Sequence, residues 1–299
     1  MNPVPVVGRF APSPTGDLHF GSLVSAVGSF LEARLSGGSW LIRIEDIDPP
    51  REVAGSAARI IDDLHSLGLN ADGPVLYQSS RVGAYRDTVD ALVEKGLAYA
   101  CACSRKDLSE SGKYPGTCRN GIPPGKIPRS IRFRIDDGVC TFHDRLQGAV
   151  SDSPAATGGD FIIRRADGLF AYQLAVVVDD HFQGVTQVVR GADLLDSTNR
   201  QICLQKALGF ETPQYMHLPI VISADGKKLS KRTQTDPVNL QEPAAAVARA
   251  LQFLGQNPPK GLSLDDLWKW ALAHWDSDRI PRVRSKLSGG EHPHKISGV

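Results

Sequence analysis

No run of about 18 apolar residues, the length that crosses a bilayer, occurs in the 299-residue sequence. A hydrophobic membrane-spanning helix is therefore not expected. The opening MNPVPVVGRF has no basic stretch followed by an apolar block, so no secretory leader is expected and the expected compartment is the cytoplasm. Cysteine is scarce and odd in number: Cys101, Cys103, Cys118, Cys140 and Cys203. Without a secretory signal, that count argues against a disulfide framework. Neither sign of charge is in excess, with 34 Lys and Arg against 33 Asp and Glu, a net +1. That balance neither demands nor excludes a polyanionic partner, and local distribution matters more. No internal repeat is present.

What is there is an ordinary globular composition, 41% hydrophobic and 22% charged. VPVVGRF at 4–10 reads as a buried strand. After the Pro- and Gly-rich APSPTGDLHFGS, a helical pattern begins, with Leu23, Val27, Phe30, Leu31 and Leu35 at helical spacing and Gly37-Gly38 as its stop. WLIRIE at 40–45 reads as a second strand. A second helix carries Val53, Ala57, Ile60, Ile61, Leu64 and Leu67 on one face, and a third spans about 80–94. Strand, helix, strand, helix predicts a parallel sheet covered by helices. From 100 to 158, Gly, Pro, clustered Cys and short runs such as IRFRI read as an insertion. FIIRR at 161–165, LFAYQLAVVV at 169–178, VTQVVR at 185–190 and HLPIVI at 217–222 are expected as strands, with a helix over 197–208. Beyond Pro237 the pattern is helical, and the basic, Gly/Ser-rich end reads as a flexible tail.

Two short motifs suit ATP. His19-Phe20-Gly21-Ser22 lies where a strand hands over to a helix N-terminus, a natural receptor for phosphate. Gly21 lets a nucleotide approach the backbone, and His19 can donate to a phosphate oxygen as charge builds. Lys228-Leu229-Ser230-Lys231-Arg232 follows an apolar strand in a turn-rich stretch. Lys228, Ser230 and Lys231 there can stabilise departing pyrophosphate.

In this order, RFAPSPTGDLHFGS, LIRIEDIDPPR and KLSKR resemble the signatures of class I aminoacyl-tRNA synthetases, and of their glutamyl branch in particular. The resemblance covers most of residues 8–235. It implies an α/β Rossmann-type parallel sheet with an inserted zinc-binding subdomain and a short C-terminal helical region. The corresponding expected units are a catalytic domain at 1–99 and 159–222, an acceptor-binding zinc insertion at 100–158, and the KLSKR loop with a helical stem-like region and tail at 223–299. The implied reaction joins L-glutamate to ATP as glutamyl-adenylate, with His19 and Lys231 assisting and Mg²⁺ accompanying ATP. Ser22, where the usual residue is His, together with Cys101, Cys103 and the little chain after KLSKR, resembles the members of that branch that act on queuosine in the anticodon of tRNA(Asp). Transfer to a tRNA 3′ end, nucleotidyl transfer and non-catalytic nucleotide binding stay open as rival readings.

Free glutamate offers two carboxylates and one ammonium. Arg9 and Arg190 are expected to take the carboxylates and Glu45 the ammonium, each at a strand's carboxyl end, with Tyr172 alongside. The resemblance assigns glutamate contact to Arg9, Phe10, Ala11, Pro12, Ser13, Glu45, Tyr172 and Arg190. Which arginine takes which carboxylate is left open. Cys101, Cys103 and Cys118 supply three soft ligands, which suits a structural Zn²⁺. No His lies between 101 and 140 to complete a tetrahedron. The resemblance offers Tyr114 as the fourth ligand, and a water is the alternative.

Overall fold

Apolar strands that end in charged residues are stacked in parallel, and their charged ends are gathered on one side. The computed structural model describes residues 5–110, 112–223 and 238–287. It begins with β1 (Val7–Phe10), α1 (Phe20–Leu35) and β2 (Ser39–Ile44). β2 lies parallel to β1, with Gly8 opposite Trp40 and Phe10 opposite Ile42. After α2 (Ser56–Ser66), the short β3 (Leu76–Tyr77) extends this sheet on the far side of β2. α3 (Val82–Glu94) then leads to β4 (Ala98–Cys101), β5 (Ser130–Phe133), β6 (Cys140–Asp144), β7 (Gly148–Asp152), the single-turn α4 (Pro154–Thr157) and β8 (Phe161–Arg164). α5 (Tyr172–Phe182), β9 (Gln187–Gly191), α6 (Leu195–Leu208), β10 (Gln214–Leu218) and β11 (Ile220–Ile222) follow. α7 (Pro243–Phe253), α8 (Leu264–His274) and β12 (Ser285–Leu287) complete the described chain.

β10 pairs in parallel with both β9 and β6, and β7 closes the edge antiparallel to β6. β9 starts beside β1: the Thr186 N–H donates to the Val7 carbonyl at 3.0 Å, and the Val7 N–H to Thr186 Oγ1 at 2.9 Å. The chain therefore winds outward from β1 to β2 on one side and from β9 to β10 on the other. The point between β1 and β9 is the switch point at which open parallel sheets bind ligands, outside the carboxyl ends of the strands.

α1 fills the angle between these halves. Gly28 lets it close on the sheet, because a Cβ there would lie 2.6 Å from Leu218 Cδ1. On its other side, Phe30 meets Trp40 and Trp268 edge-on at centroid distances of 5.4 and 5.1 Å. A second core, around Tyr85, Leu92, Phe133, Ile163 and Leu174, joins α3 and α5 to the antiparallel sheet of β4, β5 and β8. Among the described residues no helix is long and apolar enough to cross a membrane.

The structure departs from the sequence reading in five places, one of them at the start of the stretch read as a tail, where Ser285–Leu287 form β12 against β11. LFAYQLAVVV is not a strand: from Tyr172 onward it is α5, whose residues Leu174–Asp180 are all buried. A helix covered on all sides has no polar face, so its sequence loses the helical period and its valines mimic a strand. HLPIVI breaks at Pro219, which has no N–H for a ladder; β10 stays in the sheet, while β11 leaves it to pair with β12. Val53 is 45% exposed and precedes α2, so it is not on that helix's apolar face. β6 and β7 fall within the 100–158 stretch read as an insertion, yet β6 hydrogen-bonds to β10.

Candidate active site

A cleft of about 1030 Å³ opens at the switch point, lined by residues 9–13, His19, Gly21, Ser22, Glu45, Tyr172 and Arg190 among others. The loop after β1 is pinned across its floor. The Glu45 N–H donates to the Pro12 carbonyl at 3.0 Å and the Val53 N–H to the Pro14 carbonyl at 2.9 Å. The sequence-derived glutamate residues are thus brought together by the structure. Lys228, Ser230 and Lys231 lie outside the described residues.

Arg9, the third residue of β1, is buried. Its Nε donates to Asp180 Oδ1 at 3.2 Å, and its guanidinium makes no other protein hydrogen bond among the described residues. Asp180, on α5, also takes Arg43 Nη1 at 2.8 Å. Burial alone would raise the Asp180 carboxyl, but Arg9 and Arg43 hold it below the usual carboxylate range.

Glu45 follows the last residue of β2. Among the described residues its Oε1 is buried without a hydrogen-bond partner, and the nearest cation is Arg43 Nη2 at 3.6 Å. Burial pushes this carboxyl up to about 7, against the pull of Arg43 and Arg9. A buried acceptor with no donor is costly, and a ligand cation in the cleft would relieve that cost.

Arg190 on β9 is held from three sides. Nε donates to His217 Nε2 (3.0 Å), Nη2 to Thr198 Oγ1 (2.9 Å) and Gln201 Oε1 (2.7 Å), and Nη1 to Tyr172 Oη (3.2 Å). A guanidinium has five N–H groups, so one hydrogen on Nη1 remains. Tyr172, the first residue of α5, accepts from Arg190 and keeps its own O–H proton. The sequence reading had Arg190 taking one of the two carboxylates. In the structure the two remaining donors are one guanidinium N–H and one phenol O–H, side by side.

His19 caps α1. The Ser22 N–H donates to His19 Nδ1 at 3.2 Å, and Ser22 Oγ lies 3.0 Å from Nε2. Gly21 has a local reason beyond ligand approach: a Cβ there would sit 3.3 Å from the His19 ring. The ring therefore folds back over the first turn, beside N–H groups that favour an anion.

Apart from the cleft, the Cys101, Cys103 and Cys118 sulfurs all lie within 4.8 Å of one another. Cys103 Sγ and Cys118 Sγ are 3.7 Å apart, and Cys101 Sγ lies 3.6 Å from Tyr114 Oη. Zn–S bonds of about 2.3 Å at tetrahedral angles give sulfur–sulfur edges of about 3.8 Å, close to the Cys103–Cys118 spacing, so the three sulfurs are grouped as a metal ion of that size requires. The Cys118 N–H donates to Tyr114 Oη at 2.8 Å, and Arg132 Nε lies 3.3 Å from Cys101 Sγ. The cluster can hold a metal ion.

Comparison with known proteins gives a family. A family model described as tRNA synthetases class I (E and Q), catalytic domain, matches residues 5–255. The chain belongs to this family of class I tRNA synthetases. Among its relatives, the glutamyl-Q tRNA(Asp) synthetase of Dechloromonas aromatica (strain RCB) is 53% identical, over 93% of this chain and 96% of that protein. The protein of the same name from Chromobacterium violaceum is 52% identical, over 92% of this chain and 95% of that one. A crystal structure of a glutamate tRNA ligase from Elizabethkingia meningosepticum in complex with its amino acid superposes with a TM-score of 0.79 at 25% identity. That match covers 94% of this chain and 66% of the ligase chain, so the present synthetase-family chain spans slightly under two thirds of that ligase.

Sequence reasoning missed Arg43, Asp144, Asp180 and His217, which hold the cleft residues in place. The available signal was a charged or polar residue inside an otherwise apolar strand, as in WLIRIE and HLPIVI. Such residues are buried only when paired.

Proposed function

We propose that this chain activates L-glutamate with ATP and passes the glutamyl group to the cyclopentenediol of queuosine in the anticodon of tRNA(Asp), working in the cytoplasm. The observation that carries the amino-acid half is the pairing, in one cleft, of two buried arginines with a buried carboxylate that lacks a donor. Arg9 offers its outer guanidinium edge to one ligand carboxylate. Arg190 Nη1 and Tyr172 Oη offer the second pair of donors. Glu45 takes the ammonium, with Phe10, Ala11, Pro12 and Ser13 forming the wall. A glutamine side chain would leave an arginine facing an uncharged amide, forgoing a charge-assisted bond worth about 1.5–3 kcal/mol.

For the reaction, a bound glutamate carboxylate attacks the α-phosphate of ATP, and pyrophosphate leaves. His19, with Gly21 and Ser22 at the start of α1, receives the phosphates. Lys228, Ser230 and Lys231 are assigned to the leaving pyrophosphate, and Mg²⁺ would come bound to ATP. No side chain has to form a covalent bond, because orientation and charge stabilisation suffice. Cys101, Cys103, Cys118 and Tyr114 would hold one zinc ion, whose part is to fix the loop between β4 and β5.

The acceptor half rests on the relatives, which match over nearly their whole length and carry the glutamyl-Q tRNA(Asp) name. The test is pyrophosphate exchange with glutamate in the absence of tRNA, followed by transfer of labelled glutamate. Exchange without tRNA, and label that needs queuosine and survives removal of the tRNA 3′ end, are expected. Label that depends on the 3′-terminal adenosine would instead make the chain an ordinary glutamyl-tRNA synthetase.

A further inference from the structure

Arg190 does not reach the cleft on its own. In the parallel pairing of β9 with β10 it stands opposite His217, whose ring is fully buried between Arg190 and Asp144. Arginine Nε can only donate, and it lies 3.0 Å from His217 Nε2. That nitrogen must therefore carry a lone pair, and the imidazole proton must be on Nδ1. His217 Nδ1 lies 2.6 Å from Asp144 Oδ2, which accepts it. The other carboxylate oxygen, Asp144 Oδ1, accepts three backbone N–H groups, from Leu146 at 3.0 Å, Gln147 at 2.8 Å and His217 at 3.2 Å. The carboxylate cannot turn over without breaking those bonds.

We infer that Asp144 and His217 are positioning residues for glutamate specificity: Asp144 fixes the His217 tautomer, and that tautomer fixes Arg190 so that Nη1 and Tyr172 Oη face the amino acid. This rests on the reading of the cleft as a glutamate site. Burial and the neighbouring Arg190 keep His217 neutral against the pull of Asp144, and that neutrality suits an acceptor. Tyr215, two residues earlier on the same face of β10, lies nearly parallel to the ring with centroids 6.0 Å apart.

The isosteric change Asp144→Asn separates this role from bulk stability. The three backbone N–H groups keep the amide oxygen at the Oδ1 place, so the amide NH₂ faces His217 Nδ1. The imidazole proton then moves to Nε2, where it opposes the Arg190 Nε–H. The expected result is a glutamate KM raised at least tenfold in pyrophosphate exchange, with the ATP KM within about twofold of the parent. Nitrogen-15 shifts of His217 should report the Nδ1–H tautomer in the parent and Nε2–H in the variant. His217→Gln places an amide oxygen near the Nε2 position, so the double variant Asp144→Asn/His217→Gln should recover part of the lost glutamate affinity. An unchanged glutamate KM in Asp144→Asn, or equal losses for glutamate and ATP, would overturn the inference. Arg190→Gln serves as the reference. If it too leaves the glutamate KM unchanged, the cleft assignment itself has failed; if it alone raises KM, only the Asp144–His217 role has failed.

Discussion

Glu45 is the side chain on which the cleft's chemistry is most exposed to pH. Free glutamate keeps its ammonium and both carboxylates charged from pH 6 to 8, so in that range changes in binding come from the protein. A Glu45 carboxyl raised by burial to about 7 is ionised above that pH and neutral below it. The neutral form cannot offer a charge to the ammonium. The glutamate KM is therefore expected to rise as pH falls below 7, approaching about tenfold per unit, while the ATP KM follows a different curve. Pyrophosphate exchange measured between pH 5.5 and 8.5 decides this, and Glu45→Gln should abolish the glutamate slope while raising KM at pH 8. A slope that survives Glu45→Gln would move the titrating group elsewhere. At this scale the sequence was informative where charge ends an apolar strand, as at Arg9, Glu45 and Arg190. It was silent on Asp144 and Asp180, because an acid alone does not show which distant base it meets.

Among the elements, the β4–β5 loop is organised by its cysteines more than by any hydrophobic core. Cys101 ends β4 and is fully buried, and its carbonyl accepts from the Arg129 N–H at 3.0 Å. Cys118 sits well along the loop, under Tyr114. Farther along the loop, Arg119 pairs with the buried Asp160 and its Nη2 donates to the Ile135 carbonyl at 2.8 Å, so the loop is anchored at a second place. Freshly prepared protein, kept from chelators, is expected to contain about one zinc per chain by elemental analysis. Cys101→Ser or Cys118→Ser should lose the metal and lower hydrogen-exchange protection across 101–119 at least tenfold. A parent protein without zinc and with the same protection as its serine variants would make the three thiols ordinary packing. The clustering of these cysteines was legible in the sequence, as were α1, α6 and most strands. α5 was not, because the second core and the sheet cover it on both sides. The partnership of β6 with β10 was not legible either, since the pairing joins segments far apart in the chain.

At the scale of the whole molecule, one acid on α1 ties three regions together. Glu32 is buried, with Oε2 accepting from Arg145 Nη1 at 2.6 Å and Oε1 from Trp275 Nε1 at 2.8 Å. Arg145 belongs to the turn between β6 and β7, and Trp275 follows α8. Replacing Glu32 by Ala removes both bonds and leaves the indole N–H without its acceptor, at an expected cost of about 1–3 kcal/mol. Urea melts should show that loss with little change in the glutamate KM, because Glu32 does not line the cleft. An unaltered melt would mean that α1 is held by its remaining contacts, among them the Arg34–Asp72 pair and the Trp40 indole on Ser29.

The cleft also has a history in time. Arg9 is bonded to Asp180, 171 residues later, and Arg190 depends on His217, which follows β9. A ribosome adding about 5–20 residues per second needs roughly 9–34 seconds to make the segment between Arg9 and its partner. Through that interval Arg9 is without its partner Asp180. A chain stopped before β10 would lack His217, and with it the nitrogen that accepts from Arg190 Nε.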